Sequence, residues 1–357
     1  MTGSRIALLT DTHAFGGAEV YLTTLARHLG GHYRFTAIVG DRAPAELRSR
    51  LVCPVRVIGG LRRRTAALPF ARLVGTLRRL QPDLVHVNLT DQGDGLALAT
   101  AARLARLPAV ATLHNAIPGR RYAKERLSRF TLRCFRRVIA PASTVARYVA
   151  ATGGAAIIVR HGLDFPASDR GAARAELGLA SDALVVGGVG RLHDQKGWDV
   201  LGRAAELVGR RVPEAQFVVI GEGPLRRRLE SSFPALRLVG YRPDASRLVA
   251  AFDVVAVPSR YEAFGLAPAE AMVAGVPVIA SAVDALPEVV GPTGVLFPPG
   301  DAEALGAALV ELLEDAERRR VLAGEGRKWA AEHFSATRMA TETAAVFDEV
   351  LVDEDRR

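Results

Sequence analysis

The stretch Val257-Pro258-Ser259-Arg260-Tyr261-Glu262-Ala263-Phe264-Gly265-Leu266-Ala267-Pro268-Ala269-Glu270 joins a short β-branched run to a helical pattern. The run at 254–257 reads as a buried strand and 267–274 as the helix that follows it. Glu262 falls in the connecting loop and Gly265-Leu266 where the helix begins. Backbone amides at a helix start are free to hold a phosphate. Glu270 lies about one turn inside, so it can face the same ligand, and a carboxylate that accepts two vicinal hydroxyls is a usual ribose contact. Two solvated glutamates near a helix end are the plainer alternative.

Upstream, the same strand–loop–helix unit recurs. Gly187-Gly188-Val189-Gly190-Arg191-Leu192 ends a strand, and Lys196-Gly197 precedes a helix starting near Trp198. Cations beside a helix N-terminus suit a diphosphate, although two solvated surface cations fit too. Gly221-Glu222-Gly223-Pro224 ends another strand, where a turn with Pro in the first helical turn is sufficient by itself. Near the N-terminus, Asp11-Thr12-His13-Ala14-Phe15-Gly16-Gly17-Ala18-Glu19 follows the first strand, and Gly16 and Gly17 allow backbone to approach an anion. An ordinary tight turn is again the alternative. Neither glycine cluster has Gly-x-Gly-x-x-Gly spacing, which disfavours a nicotinamide or flavin enzyme.

Strand patterns occur at 6–9, 35–39, 55–58, 84–87, 109–113, 138–139 and 157–159, then at 184–189, 216–220, 237–239, 254–257, 278–280 and 294–297. Helical patterns separate them, among them 18–29, 69–80, 96–106, 198–211, 225–231, 267–274 and 302–313. This alternation predicts an α/β chain with parallel sheets. The pattern breaks near Pro166, so the expected domains are 1–165 and 166–334, each a doubly wound sheet, with a cleft between them. A long helix over 335–352 is expected to pack back on the first domain.

At 357 residues, with 49% hydrophobic and 24% charged, the chain is globular in composition, not collagen-like, disordered or coiled coil. Its net charge of +9 is uneven. Residues 1–165 carry 25 Lys+Arg against 9 Asp+Glu, and residues 166–357 carry 22 against 29. Only the first half is therefore expected to meet something acidic. Cys53 and Cys134 are the only cysteines, which excludes a disulfide framework. No spacing suggests a catalytic metal. The N-terminal apolar run is too short for a signal peptide, and no stretch approaches the ~20 apolar residues of a spanning helix. A cytoplasmic protein is expected.

With these motifs in order, the chain resembles glycosyltransferase family 4, the retaining GT-B glycosyltransferases. The resemblance rests on Gly16–Gly17, on the Gly-Arg…Lys-Gly stretch over 190–197, on Gly221-x-Gly223 and on Glu262-x7-Glu270, and it includes His161-Gly162-Leu163-Asp164. The family usually has Asn where His161 stands. The resemblance implies two Rossmann-like domains, a donor domain at 166–334 and an acceptor domain at 1–165. It implies a nucleoside-diphosphate sugar, UDP- or GDP-linked, as donor, with no cofactor and no metal. Arg191 and Lys196 would neutralise the leaving diphosphate. The amides of Gly265 and Leu266 and the Gly16–Gly17 turn would hold phosphates, with Gly221 and Phe264 also in the donor site. Glu270 would take the ribose, and Tyr241 and Arg242 would lie near the base. Glu262 would bind hydroxyls of the transferred sugar, and His114, after the 109–113 strand, would sit beside the reacting carbon. A capping histidine is the alternative for His114.

Breaking a glycosyl–phosphate bond builds positive charge on the sugar and negative charge on the phosphate, which cations and fixed amides stabilise. In the retaining mechanism the leaving phosphate can deprotonate the acceptor, so the two glutamates are not a glycosidase pair.

The segment Arg120–Arg137 holds eight basic residues with interleaved Leu127, Phe130, Leu132 and Phe135. It reads as a solvated amphipathic helix, as a peripheral contact with anionic lipid at the inner membrane face, or, through Arg120, Arg121 and Lys124, as a site for an anionic acceptor. Arg62-Arg63-Arg64 is a second basic run. No aromatic platform accompanies the charge, which argues against nucleic acid. Asn88 to Gln92 and Asn115 suggest a hydrophilic small-molecule acceptor. A phosphate-bearing lipid acceptor, a sugar-nucleotide epimerase and a non-catalytic sugar-nucleotide binder are the alternatives. The sequence carries no signal for an oligomeric state.

Overall fold

The computed structural model describes residues 3–61, 67–116, 125–165 and 168–355. Arg62, Arg63, Arg64, Arg120, Arg121, Lys124 and the expected linker residue Pro166 lie outside them. The chain divides into two compact units. One is Met1–Leu163 with Ala336–Arg357, and the other is Asp164–Ser335.

The first unit holds a seven-stranded parallel sheet in the order β3-β2-β1-β4-β5-β6-β7. Its strands are β1 Arg5–Thr10, β2 Arg34–Gly40, β3 Val55–Ile58, β4 Leu84–Leu89, β5 Ala109–Leu113, β6 Arg137–Ala140 and β7 Ala156–Ile158. The second holds six parallel strands in the order β10-β9-β8-β11-β12-β13. These are β8 Val185–Val189, β9 Gln216–Ile220, β10 Leu236–Leu238, β11 Val254–Val257, β12 Val278–Ser281 and β13 Val295–Phe297. Helices cover both faces of a parallel sheet, so central strands must be apolar on both sides. Every residue of β4, β5, β11 and β12 is buried, whereas edge strand β3 exposes Arg56 and Val57.

Each sheet reverses its strand order once, between β1 and β4 and between β8 and β11. At such a reversal the loops leaving the two strands diverge and open a crevice at their carboxyl ends. The loops carrying Gly16–Gly17, Lys196 and Glu262 all leave strands that flank these two reversals.

The final helix, Ala336–Asp355, belongs to the first unit. Its Met339, Ala340, Val346, Phe347 and Val350 join the core formed by β1, β2 and the helix Gly17–Leu29. The Phe347 ring lies 5.8 Å from Tyr33 and 5.4 Å from His86. The Tyr33 hydroxyl donates to Asp348 at 2.7 Å. The chain thus returns to its first domain through aromatic packing.

Helices beyond those expected include Ser143–Ala151, Arg170–Glu176 and Ala316–His333. The last contains Gly324 and Gly326 and lacks an apolar stripe, burying only Gly326 and Ala330. Its helical state comes from the Asp315 cap and from Trp329, whose indole N–H donates to the Val289 carbonyl at 3.0 Å.

Phe347 is fully buried, so Phe347→Ala is expected to destabilise the first unit by about 3–5 kcal/mol. Urea unfolding followed by far-UV circular dichroism measures this, and a loss below ~1 kcal/mol would show that the helix does not depend on this anchor.

Candidate functional site

In the second unit, three turns lock together at the carboxyl end of the sheet. Gly190 donates its N–H to the Ile220 carbonyl at 3.0 Å, Leu192 to Glu222 at 2.9 Å and Gly221 to Gly240 at 2.9 Å. A Cβ on Gly221 would stand 1.9 Å from the Gly190 carbonyl oxygen. Gly221 is therefore a close-packing residue whose N–H is already taken. Gly188 likewise yields space to the Trp198 ring.

Gly197 sits at φ +65° and caps the helix Trp198–Val208. A Cβ there would lie 2.0 Å from the Pro258 carbonyl oxygen. The loop after β8 is thus pressed on the loop after β11. Two hydrogen bonds tie them: Arg260 N–H to the Gln195 carbonyl at 2.8 Å, and the Gln195 side-chain amide to the Tyr261 carbonyl at 3.2 Å. Across this seam the Lys196 ammonium meets Glu262 Oε2 at 2.5 Å, and the Ser259 hydroxyl donates to the same oxygen at 3.4 Å. Glu262 is nearly buried, at 9% exposure. Asp284 fixes its backbone by accepting the Glu262 N–H at 3.0 Å, and the Glu262 carbonyl accepts the Ala285 N–H at 3.2 Å. Asp284 and Gln195 were missed in the sequence. The one available signal was an acidic residue just after β12, and Asp284 adopts φ +45°, a conformation Asp tolerates.

Arg191 is exposed, and its guanidinium has no side-chain or backbone partner among the described residues. Gly265, at φ +97°, caps the helix Leu266–Val273, and no side chain satisfies that helix start. Gly265 also lies against the Glu262 side chain. Glu270, on this helix, is half-buried without a hydrogen-bond partner among the described residues, and burial pushes its carboxyl up to about 7. Tyr241 is exposed and Arg242 half-buried, both just beyond β10. Phe264 immediately precedes the helix cap Gly265. It is buried with its ring edge-on to Phe334, centroids 5.6 Å apart, so its side chain is a packing element.

In the first unit, Gly16 donates its N–H to Glu19 Oε2 at 2.9 Å. The buried Glu19 carboxylate, raised in pKa by desolvation, therefore occupies one of the two amides expected to hold phosphate. Gly17 is the part of the turn left at the helix start.

His114 lies at the end of β5, 8% exposed. Its Nε2 is 2.6 Å from Asn88 Oδ1, and its Nδ1 is 3.2 Å from His161 Nε2. The Asn88 amide group donates to the Ala18 carbonyl at 3.1 Å, so Oδ1 must face the histidine. His114 then carries its proton on Nε2, and His161 donates from Nε2 to His114 Nδ1. The two rings stack at 4.9 Å with Tyr21 edge-on to His114. Desolvation holds His114 well below the usual imidazole range and His161 at about 3, so both are neutral at pH 7. Both ring nitrogens of His114 are thus engaged within the first unit. Having His at position 161, where the family usually has Asn, has a consequence, because the imidazole reaches His114.

Among the described residues no group of three or more His, Cys, Asp or Glu is placed to hold a metal ion, and no helix is long and apolar enough to cross a membrane. On the helix Glu125–Arg133, Arg126, Arg129 and Arg133 are exposed together with Phe130.

Comparison with known proteins follows the same division. Residues 15–164 match Glycosyltransferase Family 4, and residues 183–315 match the glycosyl transferases group 1. The chain is 31% identical over 364 residues to 2-deoxystreptamine N-acetyl-D-glucosaminyltransferase of Streptomyces fradiae, covering 86% of this chain and 85% of that one. It is 29% identical over 346 residues to 2-deoxystreptamine glucosyltransferase of Streptomyces kanamyceticus, covering 88% of each. Among solved structures, HepE of Anabaena in complex with UDP and glucose superposes with a TM-score of 0.84 at 23% identity, covering 97% of this chain and 100% of that one. Two parallel Rossmann-like sheets, the paired glutamates after β11 and these end-to-end matches make the chain a glycosyltransferase of family 4 with the GT-B fold, an enzyme that takes its sugar from a nucleotide-sugar donor.

Proposed function

We propose that this enzyme is a retaining, metal-independent glycosyltransferase that moves a sugar from a UDP-sugar to a polar, polyhydroxylated small molecule of the cyclitol class. The observation that carries the donor half is Glu270, a half-buried carboxylate with no hydrogen-bond partner among the described residues, placed one turn inside a helix start that no side chain caps. Burying an unpaired carboxyl is unfavourable unless a ligand completes it. Two ribose hydroxyls supply the missing donors. Arg191 and Lys196 take the diphosphate, helped by the amides of Gly265, Leu266 and Gly17, and Tyr241 and Arg242 lie toward the base. Glu262 takes hydroxyls of the sugar. UDP is favoured over GDP by the UDP complex of HepE, and the acceptor class by the two Streptomyces relatives, whose names specify 2-deoxystreptamine.

In the transfer, the bond from the anomeric carbon to the phosphate oxygen breaks as the acceptor oxygen bonds to the same face. The acceptor proton passes to the departing phosphate. Two cations and several fixed amides oppose the charge that develops there and supply the positive charge a metal would otherwise bring. A lipid-borne acceptor at the inner membrane face is the second reading, favoured by exposed Phe130, at 50%, among exposed Arg126, Arg129 and Arg133.

Thermal-shift measurement against UDP, GDP and ADP tests the donor, since a ligand at 100 times its Kd stabilises by about 2.7 kcal/mol. UDP is expected to stand out. In the transfer assay, Lys196→Ala and Glu262→Ala are each expected to lower kcat by about 10²–10³-fold. Turnover that survives both substitutions overturns the site, and donor converted to an epimer without acceptor overturns the reaction.

The raised Glu270 carboxyl gives a pH signature. Protonated below about 7, it no longer accepts two hydroxyls. UDP-glucose, whose esterified diphosphate does not titrate in this range, is expected to bind more tightly as pH rises through about 7, with up to about tenfold change per unit below it. Glu270→Gln is expected to flatten that profile in calorimetric titrations. Without ligand the sign is opposite. The folded state holds the Glu270 proton more tightly than the unfolded chain, so this group's contribution to stability falls from about pH 4.5 to about 7.

A further inference from the structure

Lys196 and Glu262 are assigned above to different parts of the donor, the diphosphate and the sugar, yet they are bonded to each other at 2.5 Å. Their side chains are 19% and 11% exposed, so water screens the pair only partly. Among the described residues, the other hydrogen-bond partner of the Glu262 carboxylate is the neutral Ser259 hydroxyl at 3.4 Å. A diphosphate that takes Lys196 therefore removes the one positive charge bonded to a nearly buried carboxylate, which is unfavourable unless another donor replaces it. Arg191 has no such prior commitment.

We propose that Glu262 competes with the diphosphate for Lys196, so that this carboxylate determines how weakly the spent nucleoside diphosphate is held and thereby drives product release. The inference rests on the donor-site reading above and adds a second role for Glu262. While the sugar is attached, its hydroxyls donate to Glu262 and release Lys196 to the diphosphate. Once the sugar has left for the acceptor, Glu262 has no hydroxyl partner. It reclaims the ammonium, and only Arg191 and the helix amides still hold the product. The Lys196–Glu262 pair thus distinguishes a loaded donor from an empty one without any movement of the backbone. That backbone is held independently of the carboxylate, through the Asp284 and Ala285 hydrogen bonds, so removing the charge leaves the loop anchored.

The experiment is calorimetric titration with UDP and, in parallel, GDP at pH 8. The proteins are wild type, Glu262→Gln, Glu262→Ala, Lys196→Met and the double variant Lys196→Met/Glu262→Gln, all checked for intact folding by circular dichroism. Glu262→Gln and Glu262→Ala are expected to tighten nucleoside-diphosphate binding by about five- to tenfold, as expected for freeing one partly buried cation. The gain is expected to vanish in the Lys196→Met background. Product inhibition of residual transfer by Glu262→Gln is expected to strengthen by the same factor. Unchanged or weakened binding by both Glu262 variants overturns the proposal. A gain that persists without Lys196 also overturns it, because it would show direct repulsion of the phosphate by Glu262. If wild type binds neither nucleotide, the donor-site reading itself fails, and the inference with it.

Discussion

The second unit depends on one close approach, the backbone of Gly197 against the carbonyl of Pro258. No side chain fits between them, and the left-handed φ of +65° at Gly197 turns the chain into its helix at that point. The contact fuses the loops after β8 and β11 across the reversal of strand order. Lys196 immediately precedes it and Glu262 closely follows it, so the ion pair is a consequence of backbone packing. The Gly190–Gly221 contact extends the same principle to β9 and, through Gly240, to β10. Glycines here provide close packing between turns more than they provide open amides.

The first unit uses the same sheet geometry with different polar chemistry. There the groups at the loop ends are spent on one another. Glu19 holds the Gly16 amide, Asn88 holds His114, and His161 completes the row. Burial keeps the imidazoles neutral, so each can be a defined donor or acceptor. In the second unit, by contrast, Arg191 and Glu270 have no hydrogen-bond partner among the described residues, a cation and a carboxyl in a domain whose sequence is net acidic. The large basic excess lies in the first domain, and the donor chemistry does not need it.

Much of this was legible beforehand because the signals are local. All thirteen strand positions follow from short β-branched runs between helical patterns, which is how parallel strands buried on two faces must read. Glu262, Gly265 and Glu270 are legible for the same reason, since one loop and one helix start place all three. The contact of Phe264 with Phe334 is not legible in the sequence, because an aromatic in a motif looks the same whether it faces a ligand or another ring. The helix Ala316–His333 was missed because its stability resides in one indole anchor and a cap, with no apolar stripe to announce it. Asp284 was missed because its partner, the Glu262 amide, lies 22 residues away in sequence.

The sequence by itself determined the two alternating α/β halves and the family, and it named candidate residues for a nucleotide-sugar site. These follow from periodicity and from motifs read within a single loop. Only the tertiary structure decided which of those residues are free. That Lys196 and Glu262 are already paired, and that both nitrogens of His114 are engaged, depend on contacts between segments distant in the chain. A side chain's availability is set by what the fold places beside it, and no local pattern encodes that neighbour.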